Sequence, residues 1–295
     1  MFRMTPYLYN YHDIVKPTYQ EMIDETDATL LPIGFTKESL GLSEDGNFTL
    51  YGYRYGDFTK PTIWIDSNIH GSEWWTAYFC LTALKDIVGA EFYDKGIAEK
   101  VWDEFSWFYI PSLNPYGFEN NQYTNVNLVN LNRNFDNGWD AYVGNPKGEG
   151  NNYKGESVWS EAEARIARDN FLDLQPILAI NCHTTSGEAN GLDTQHLWRK
   201  NRTLMFDAMG TARLSIGSVG EGWWQTQYSP SASAWYAHQI SKEGIQTTST
   251  ILESRSDTSE YNYGATVLVA LLLTFYHRHK TGNQKLNNLS DLKEL

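Results

Sequence analysis

Residues 61–75 read PTIWIDSNIHGSEWW, and this stretch decides the interpretation of the whole chain. The apolar run PTIWI opens the segment PTIWIDS, residues 61–67, which we predict to be a buried β-strand. Directly after it, His70 and Glu73 lie three residues apart, so both side chains can reach one metal ion if they share a turn of chain. Such a pair also arises by chance in a chain with seven histidines, so its meaning depends on the residues that fold beside it.

The rest of the chain alternates between strand-like and helix-like patterns. We predict strands at 48–54, 61–67, 105–115, 176–183 and 244–253, and helices at 17–28, 74–88, 160–174 and 264–279. Ser160 and Glu163 have the spacing of a capping box, which predicts that the third helix begins there. Strands that alternate with helices predict an α/β fold, with a mostly parallel sheet covered by helices on both faces.

The domain organisation is predicted to be simple. No linker-like segment divides the chain, so residues 1–295 form one expected domain, with an N-terminal lead-in at 1–45 and a polar tail at 282–295. A hydrophobic fraction of 41% is enough for a large buried core. The glycine-rich stretch at 144–156 is predicted to be a surface loop, not a boundary.

Charge and composition exclude several classes of partner. The net charge of −13 argues against nucleic acid or an anionic membrane as the main partner. Two cysteines, Cys80 and Cys182, cannot build a disulfide framework. The first residues lack an apolar signal stretch, and the late apolar run at 265–276 is too short to span a bilayer. The default expectation is a soluble, cytoplasmic protein, which leaves secretion or a place in a virion open, and the oligomeric state is not indicated.

Polar residues follow the ends of the predicted buried strands. His70 and Glu73 follow one strand, Asn114 another and His183 a third, while Glu253 closes a fourth. Ligands of open α/β sheets collect outside the carboxyl ends of the strands, so these groups are expected at one edge. A catalytic zinc takes three protein ligands and keeps one position open. His183 is the natural third ligand for the pair at 70 and 73.

Six short motifs along the chain resemble the zinc carboxypeptidases of the carboxypeptidase A type. They appear in the order seen in that family, as NIHGSEW, NPYGF, NLNRNF, SEAEARI, NCHTTSG and ILESRSD. The resemblance covers roughly residues 55–275. It implies one zinc ion per chain, held by His70, Glu73 and His183, and a mixed sheet of about eight strands between helices.

The resemblance also implies roles for four residues outside the ligand set. Glu253 would be the general base, which takes a proton from water and passes it to the leaving amine. Asn132 and Arg133 would grip the free C-terminal carboxylate of the substrate, because a guanidinium fits a carboxylate with two hydrogen bonds. Tyr228 resembles the mobile tyrosine that closes over bound substrate. For Glu253 the residue-level alternative is an ion pair with Arg255 or a surface position, and for Tyr228 it is a core position. For Asn132 and Arg133 the alternative is a helix-capping asparagine beside a surface arginine.

Three positions depart from the family pattern. Ser72 stands where an arginine is common, and Tyr123 stands where the family usually places an arginine that stabilises the oxyanion. A tyrosine hydroxyl can donate a hydrogen bond there but brings no charge. Asn130 replaces the aspartate that orients a zinc-bound histidine, although its amide oxygen can still accept from an imidazole N–H.

Three functions remain open at this stage. The first is a zinc metallocarboxypeptidase that removes a C-terminal residue from a peptide, with cell-wall peptides as one candidate class. The second is a zinc amidase or deacylase on the same scaffold. The third is a non-catalytic binding module that uses an aromatic-lined cleft, since the chain has eleven tryptophans.

Overall fold

The computed structural model describes most of the chain. The described residues are 15–89, 95–185, 191–193, 204, 207–208, 229–255 and 263–282. The helices are α1 (Tyr19–Leu30), α2 (Trp75–Gly89), α3 (Lys95–Glu104), α4 (Pro115–Asn120), α5 (Ala162–Leu174), α6 (Ala232–Tyr236) and α7 (Tyr263–Thr281). The strands are β1 (Thr36–Leu42), β2 (Thr49–Tyr55), β3 (Thr62–Ser67), β4 (Ser106–Ile110), β5 (Leu178–Thr185), β6 (Gly191–Asp193) and β7 (Thr248–Arg255).

The strands form one mixed sheet in the order β1-β2-β4-β3-β5-β7-β6. The four central strands run parallel, whereas β1, β2 and β6 are joined through antiparallel pairs. The predicted α/β class with a mixed sheet is therefore confirmed. The described residues supply seven strands, against about eight expected.

Helices cover both faces of this sheet, as expected for three layers. On one face, α2, α3 and α7 pack over the sheet in a large apolar cluster that includes Phe79, Val101 and Leu268. On the other face, α5 and α6 contribute Phe171 and Trp235 to a second cluster. Both faces are buried, which explains why all six residues of β3 are buried and why its middle residues, Ile63–Ile65, are apolar.

The N-terminal helix is fixed at its start by a capping box. The Thr18 hydroxyl accepts from the Glu21 amide, and the Glu21 carboxylate accepts from the Thr18 amide at 2.8 Å. This α1 helix and the edge strand β1 both lie within the segment that we predicted as a lead-in. Tyr19 and Met22 pack with Phe118 in a third apolar cluster. Among the helices that the structure describes, none has the length and apolar character needed to cross a membrane.

The capping box predicted at Ser160 and Glu163 is wrong. Helix α5 begins at Ala162, and neither side chain caps it. The Ala162 amide instead donates to the Glu44 carboxylate at 2.6 Å, from a turn between β1 and β2. Glu163 is buried and accepts from the Glu44 amide at 3.0 Å. A distant acidic side chain therefore replaces the local cap.

Candidate metal centre

The three predicted ligands converge on one point above the carboxyl ends of β3 and β5. His70 Nδ1 lies 2.9 Å from Glu73 Oε1, and His183 Nδ1 lies 3.1 Å from Glu73 Oε2. The two Nδ1 atoms are 3.2 Å apart. All three side chains are buried or nearly so, with exposed fractions of 6%, 12% and 3% in chain order. Together, His70, Glu73 and His183 are called the metal triad below.

The turn that presents His70 and Glu73 is rigid for identifiable reasons. Asn68 follows β3 with a positive φ of 53°, and its amide group donates to the carbonyls of His70 and Gly71 at 3.1 and 3.0 Å. A Cβ at Gly71 would lie 2.1 Å from the carbonyl carbon of Gly117, so only glycine fits this close contact. The backbone therefore holds both ligands before any ion binds.

Side-chain amides fix the outer nitrogen of each histidine. His70 Nε2 lies 3.2 Å from Asn130 Oδ1, and His183 Nε2 lies 2.6 Å from Asn181 Oδ1. An amide oxygen can only accept a hydrogen bond. Both contacts therefore favour the imidazole tautomer that carries its proton on Nε2 and a lone pair on Nδ1. Both lone pairs then point into the metal triad, which is the arrangement a metal ion requires.

The arrangement fits a zinc ion. Two nitrogens at roughly 2.0–2.1 Å from a tetrahedral ion lie about 3.3 Å apart. The two Nδ1 atoms here are 3.2 Å apart. Without a cation, two imidazole lone pairs at this distance repel each other, so the site is built for a positive charge. Two histidines with one glutamate are also a known donor set of catalytic zinc.

The three side chains of the metal triad are buried, and the carboxylate and the two imidazoles shift one another's pKa values. Burial alone would raise the pKa of Glu73, but His70 and His183 lower it to about 2. Burial lowers the pKa of His70, against the opposing effect of Glu73. Burial would also lower the pKa of His183, yet Glu73, with smaller contributions from Glu253 and Asp66, raises it. The carboxylate of Glu73 is therefore ionised at neutral pH.

Sheet register brings Glu253 beside the metal triad. In the parallel pair β5–β7, His183 is directly opposite Glu253, so both side chains leave the same face of the sheet. Glu253 is half-buried. Its carboxylate contributes to the raised pKa values of both His183 and the Tyr123 phenol, which is consistent with a position near both.

Asn132 and Arg133 lie at the same edge of the sheet. Asn132 Oδ1 accepts from the Ala232 amide at 2.9 Å, while its Nδ2 lies 3.4 Å from His183 Nε2. Because His183 donates its Nε2 proton to an amide oxygen, the Asn132 NH₂ group has no acceptor in that imidazole. Burial is the main cause of the lowered pKa of His70, and the charge of Arg133 adds a smaller lowering effect, which is consistent with a guanidinium near the triad.

Arg133 is held by two contacts that sequence reasoning missed. Its Nε donates to the Tyr142 hydroxyl at 3.0 Å, and its Nη1 donates to the Asn132 carbonyl at 2.7 Å. The guanidinium carbon lies 5.6 Å from the centre of the Tyr142 ring. Lys154 in turn donates to the Tyr142 carbonyl at 2.9 Å. No sequence signal marked Tyr142, because it lies in an irregular loop.

Tyr123, predicted at the position of the missing arginine, lies against the metal triad. Its ring stacks on the His70 imidazole with centroids 3.8 Å apart and an interplanar angle of 18°. Burial, with Glu73, raises the pKa of the Tyr123 phenol, so the hydroxyl is protonated and neutral at neutral pH. Tyr228, the other tyrosine predicted for the site, lies outside the described residues.

Comparison with known proteins gives the family. The chain belongs to the zinc carboxypeptidase family, whose model matches residues 42–282. A carboxypeptidase B from Helicoverpa zea is 30% identical over 132 residues, which are 39% of this chain and 30% of that protein. The match therefore spans less than a third of that relative.

Solved structures agree with this fold. Thrombin-activatable fibrinolysis inhibitor has a TM-score of 0.71 at 17% identity, over 88% of this chain and 74% of its own. A metallo-carboxypeptidase from Burkholderia cenocepacia gives 0.65 at 17% identity, over 88% and 69%. Carboxypeptidase A from Helicoverpa armigera gives 0.64 at 17% identity, over 91% and 71%. At these identities the likeness shows the carboxypeptidase fold.

Proposed function

We propose that this chain is a zinc-dependent metallocarboxypeptidase that hydrolyses the C-terminal amide bond of a peptide. The observation that carries the proposal is the metal triad, in which two Nδ1 atoms and a carboxylate converge within 3.2 Å of one another. His70, Glu73 and His183 would hold the ion. Zinc in such a site acts as a Lewis acid that lowers the pKa of water and polarises a scissile carbonyl.

Glu253 is the general base in this proposal. Its register opposite His183 and its electrostatic contact with Tyr123 support a position next to the reacting carbonyl. A carboxylate there accepts the proton of the attacking water and returns it to the leaving amine. Tyr123 donates a neutral hydrogen bond to the developing oxyanion, in place of the arginine that is common in the family.

Asn132 and Arg133 bind the C-terminal carboxylate of the substrate. The Arg133 guanidinium uses Nε and Nη1 within the protein, which leaves Nη2 and the remaining Nη1 proton for the substrate. The Asn132 NH₂ group adds a third donor. A carboxylate held beside the metal triad restricts cleavage to the last peptide bond, which is the property of an exopeptidase.

The proposal is tested with N-blocked dipeptides in pairs, one with a free carboxylate and one with a C-terminal amide. We expect zinc-dependent, chelator-sensitive hydrolysis of the free acids and little hydrolysis of the amides. Glu253→Gln should keep zinc while turnover falls by about 10²–10⁴-fold. Glu243→Gln, the same change on an exposed loop, is the matched control and should retain full turnover.

Three results would contradict these assignments. Equal cleavage of acids and amides would favour an amidase, and zinc-free protein without hydrolysis would favour a binding module. Retained turnover in Glu253→Gln would show that another group is the base. Adding cell-wall peptides to the panel tests whether this class of peptide is hydrolysed.

A further inference from the structure

Asp66 is a buried carboxylate that the proposed reaction does not use. It lies on β3 with no exposed surface, four residues before the first metal ligand. The described residues give it no lysine or arginine partner: its hydrogen-bond donors are the Trp64 indole and the Asn181 side-chain amide. An ionised carboxylate is costly to bury without a positive partner, so a buried carboxylate at residue 66 is expected to have a structural role.

Sheet register links Asp66 to the metal triad. In the parallel pair β3–β5, Asp66 is directly opposite Asn181, and the Asn181 Nδ2 group donates to Asp66 Oδ1. Asn181 lies two residues before His183 on β5, so both side chains leave the same face of the sheet. Asn181 Oδ1 then accepts from His183 Nε2 at 2.6 Å.

The other oxygen of Asp66 has a donor of its own. Trp64, two residues earlier on β3, donates its indole N–H to Asp66 Oδ2 at 2.5 Å. Burial raises the pKa of Asp66 to about 6, against the lowering effect of these hydrogen bonds, so the group is anionic at about pH 8. As an anion it can only accept, and both of its oxygens face N–H groups.

We infer that Asp66 is a positioning residue that sets the tautomer of His183 through Asn181. Asp66, Asn181 and His183 are called the amide relay. A side-chain amide can turn over and exchange its oxygen and NH₂ group at almost no steric cost. Because the carboxylate of Asp66 only accepts, it forces the Asn181 NH₂ group towards itself and the amide oxygen towards His183. That choice keeps the proton on Nε2 and the lone pair of Nδ1 in the metal triad.

The inference rests on the proposed zinc centre, and Asp66→Asn is its main test. The new amide must direct its NH₂ group at either the Trp64 indole N–H or Asn181. The first contact pairs two donors. The contact with Asn181 makes the Asn181 amide turn over, so that its NH₂ group faces His183 Nε2. The imidazole proton of His183 then moves to Nδ1, where it competes with zinc. We expect zinc affinity, measured at about pH 8 by competition with a chelating dye, to fall roughly 10–100-fold.

A second substitution should rescue the first. Trp64→Phe removes the indole N–H, so in the double variant Trp64→Phe/Asp66→Asn the new amide can direct its NH₂ group to that side and its oxygen to Asn181. The double variant should bind zinc within about twofold of Trp64→Phe alone. Asp173→Asn, on the exposed side of α5, is the matched control and should equal the wild type. A purely structural role for Asp66 gives no such rescue.

The wild-type protein provides a test that needs no variant. In the zinc-loaded protein, ¹⁵N NMR of the histidines should show His183 with a proton on Nε2 and none on Nδ1. The reverse pattern overturns the relay, as does unchanged zinc affinity in Asp66→Asn or a double variant as weak as Asp66→Asn. A wild-type protein that binds no zinc overturns the proposed function itself, whereas wild-type binding with an unaffected Asp66→Asn overturns only the relay.

Discussion

Two groups of three side chains in the described part of the chain bring possible metal ligands within 4.8 Å of one another. They are the metal triad, His70, Glu73 and His183, and a carboxylate triad, Glu44, Glu161 and Glu163. By proximity alone the two are equivalent. Their hydrogen bonds make them different.

The carboxylate triad is already supplied with donors from the protein. Glu44 accepts from the Ala162 amide at 2.6 Å, and Glu163 accepts from the Glu44 amide at 3.0 Å. Glu161 accepts from the side-chain amide of Asn125 at 2.6 Å. These bonds join the β1–β2 turn to the start of α5, so the cluster performs the task of a helix cap.

The metal triad shows the opposite pattern. Amide oxygens take the outer N–H groups of its histidines, and the inner nitrogens, 3.2 Å apart, face each other as acceptors. Glu73 accepts from the Thr184 amide at 3.0 Å, yet it also faces both Nδ1 atoms. Uncompensated lone pairs, more than short distances, therefore mark the place for a cation.

The largest expected effect separates the two triads directly. His183→Ala should weaken zinc binding by about 10²–10³-fold, because about 10–16 kcal/mol of zinc binding is shared among a few ligands. Glu161→Gln, the matched change in the carboxylate triad, should leave both affinity and a stoichiometry of one unchanged. In both variants, elemental analysis measures the zinc content and dye competition measures the zinc affinity. A loss of zinc in Glu161→Gln would make the triads equivalent after all.

The second prediction concerns the pH dependence of the carboxylate triad. Burial, with a smaller effect of Glu161, raises the pKa of Glu163 from 4.5 to about 7. The folded state then holds this proton more tightly than the unfolded chain does. The contribution of Glu163 to the free energy of unfolding is fully present below about pH 4.5. It is lost as the pH rises to about 7, by up to about 3 kcal/mol. Glu163→Gln cannot titrate and should lose less stability over that range.

Urea unfolding of wild type and Glu163→Gln at about pH 5 and about pH 7.5 measures this difference. Glu25→Gln, an exposed change on α1, serves as the control and should follow the wild type. Parallel pH profiles for Glu163→Gln and wild type would mean that Glu163 is ionised in the folded protein across the whole range. Zinc affinity should not change in either variant.

The contrast also explains what could be predicted from the sequence. The apolar character of β3, β4 and β5 comes from burial on both faces, so these strands and the polar residues at their ends were visible in the chain itself. The three metal ligands could be predicted from the polar residues at these strand ends and from the resemblance of the motifs to a family. Edge strand β1, with the sequence TKESLGL, is half-exposed and polar, and it gave no such signal.

Features that depend on register between distant segments were not predicted. The cap of α5 comes from Glu44, 118 residues before the amide that it accepts from. Asn181 and Asp66 are opposite each other only because β3 and β5 pair in one particular register. Strand alternation does contain part of this information, since Trp64 and Asp66, like Asn181 and His183, are spaced by two. Which strands would be neighbours could not be obtained from spacing.

The third prediction concerns Asn130, where a substitution restores the carboxylate that the family usually has beside a metal-binding histidine. Asn130→Asp should raise zinc affinity about tenfold, since a carboxylate accepts the His70 N–H more strongly. It should also lower the free energy of unfolding by about 1 kcal/mol, because the Asn130 amide now donates to the Asn151 carbonyl at 2.8 Å. Asn120→Asp, which breaks a similar bond to Tyr116 far from the triad, should show only the loss of stability.

The smallest effect is expected at a residue outside both triads. Tyr142→Phe keeps the ring beside the Arg133 guanidinium but removes the hydroxyl that accepts from its Nε at 3.0 Å. One such bond contributes about 0.5–1.5 kcal/mol, so KM for free-acid dipeptides should rise about 2- to 12-fold with kcat, zinc affinity and stability almost unchanged. Tyr116→Phe, a partly exposed tyrosine on α4, is the control. An equal fall in kcat would mean that Arg133 acts on the transition state and not only on the bound carboxylate.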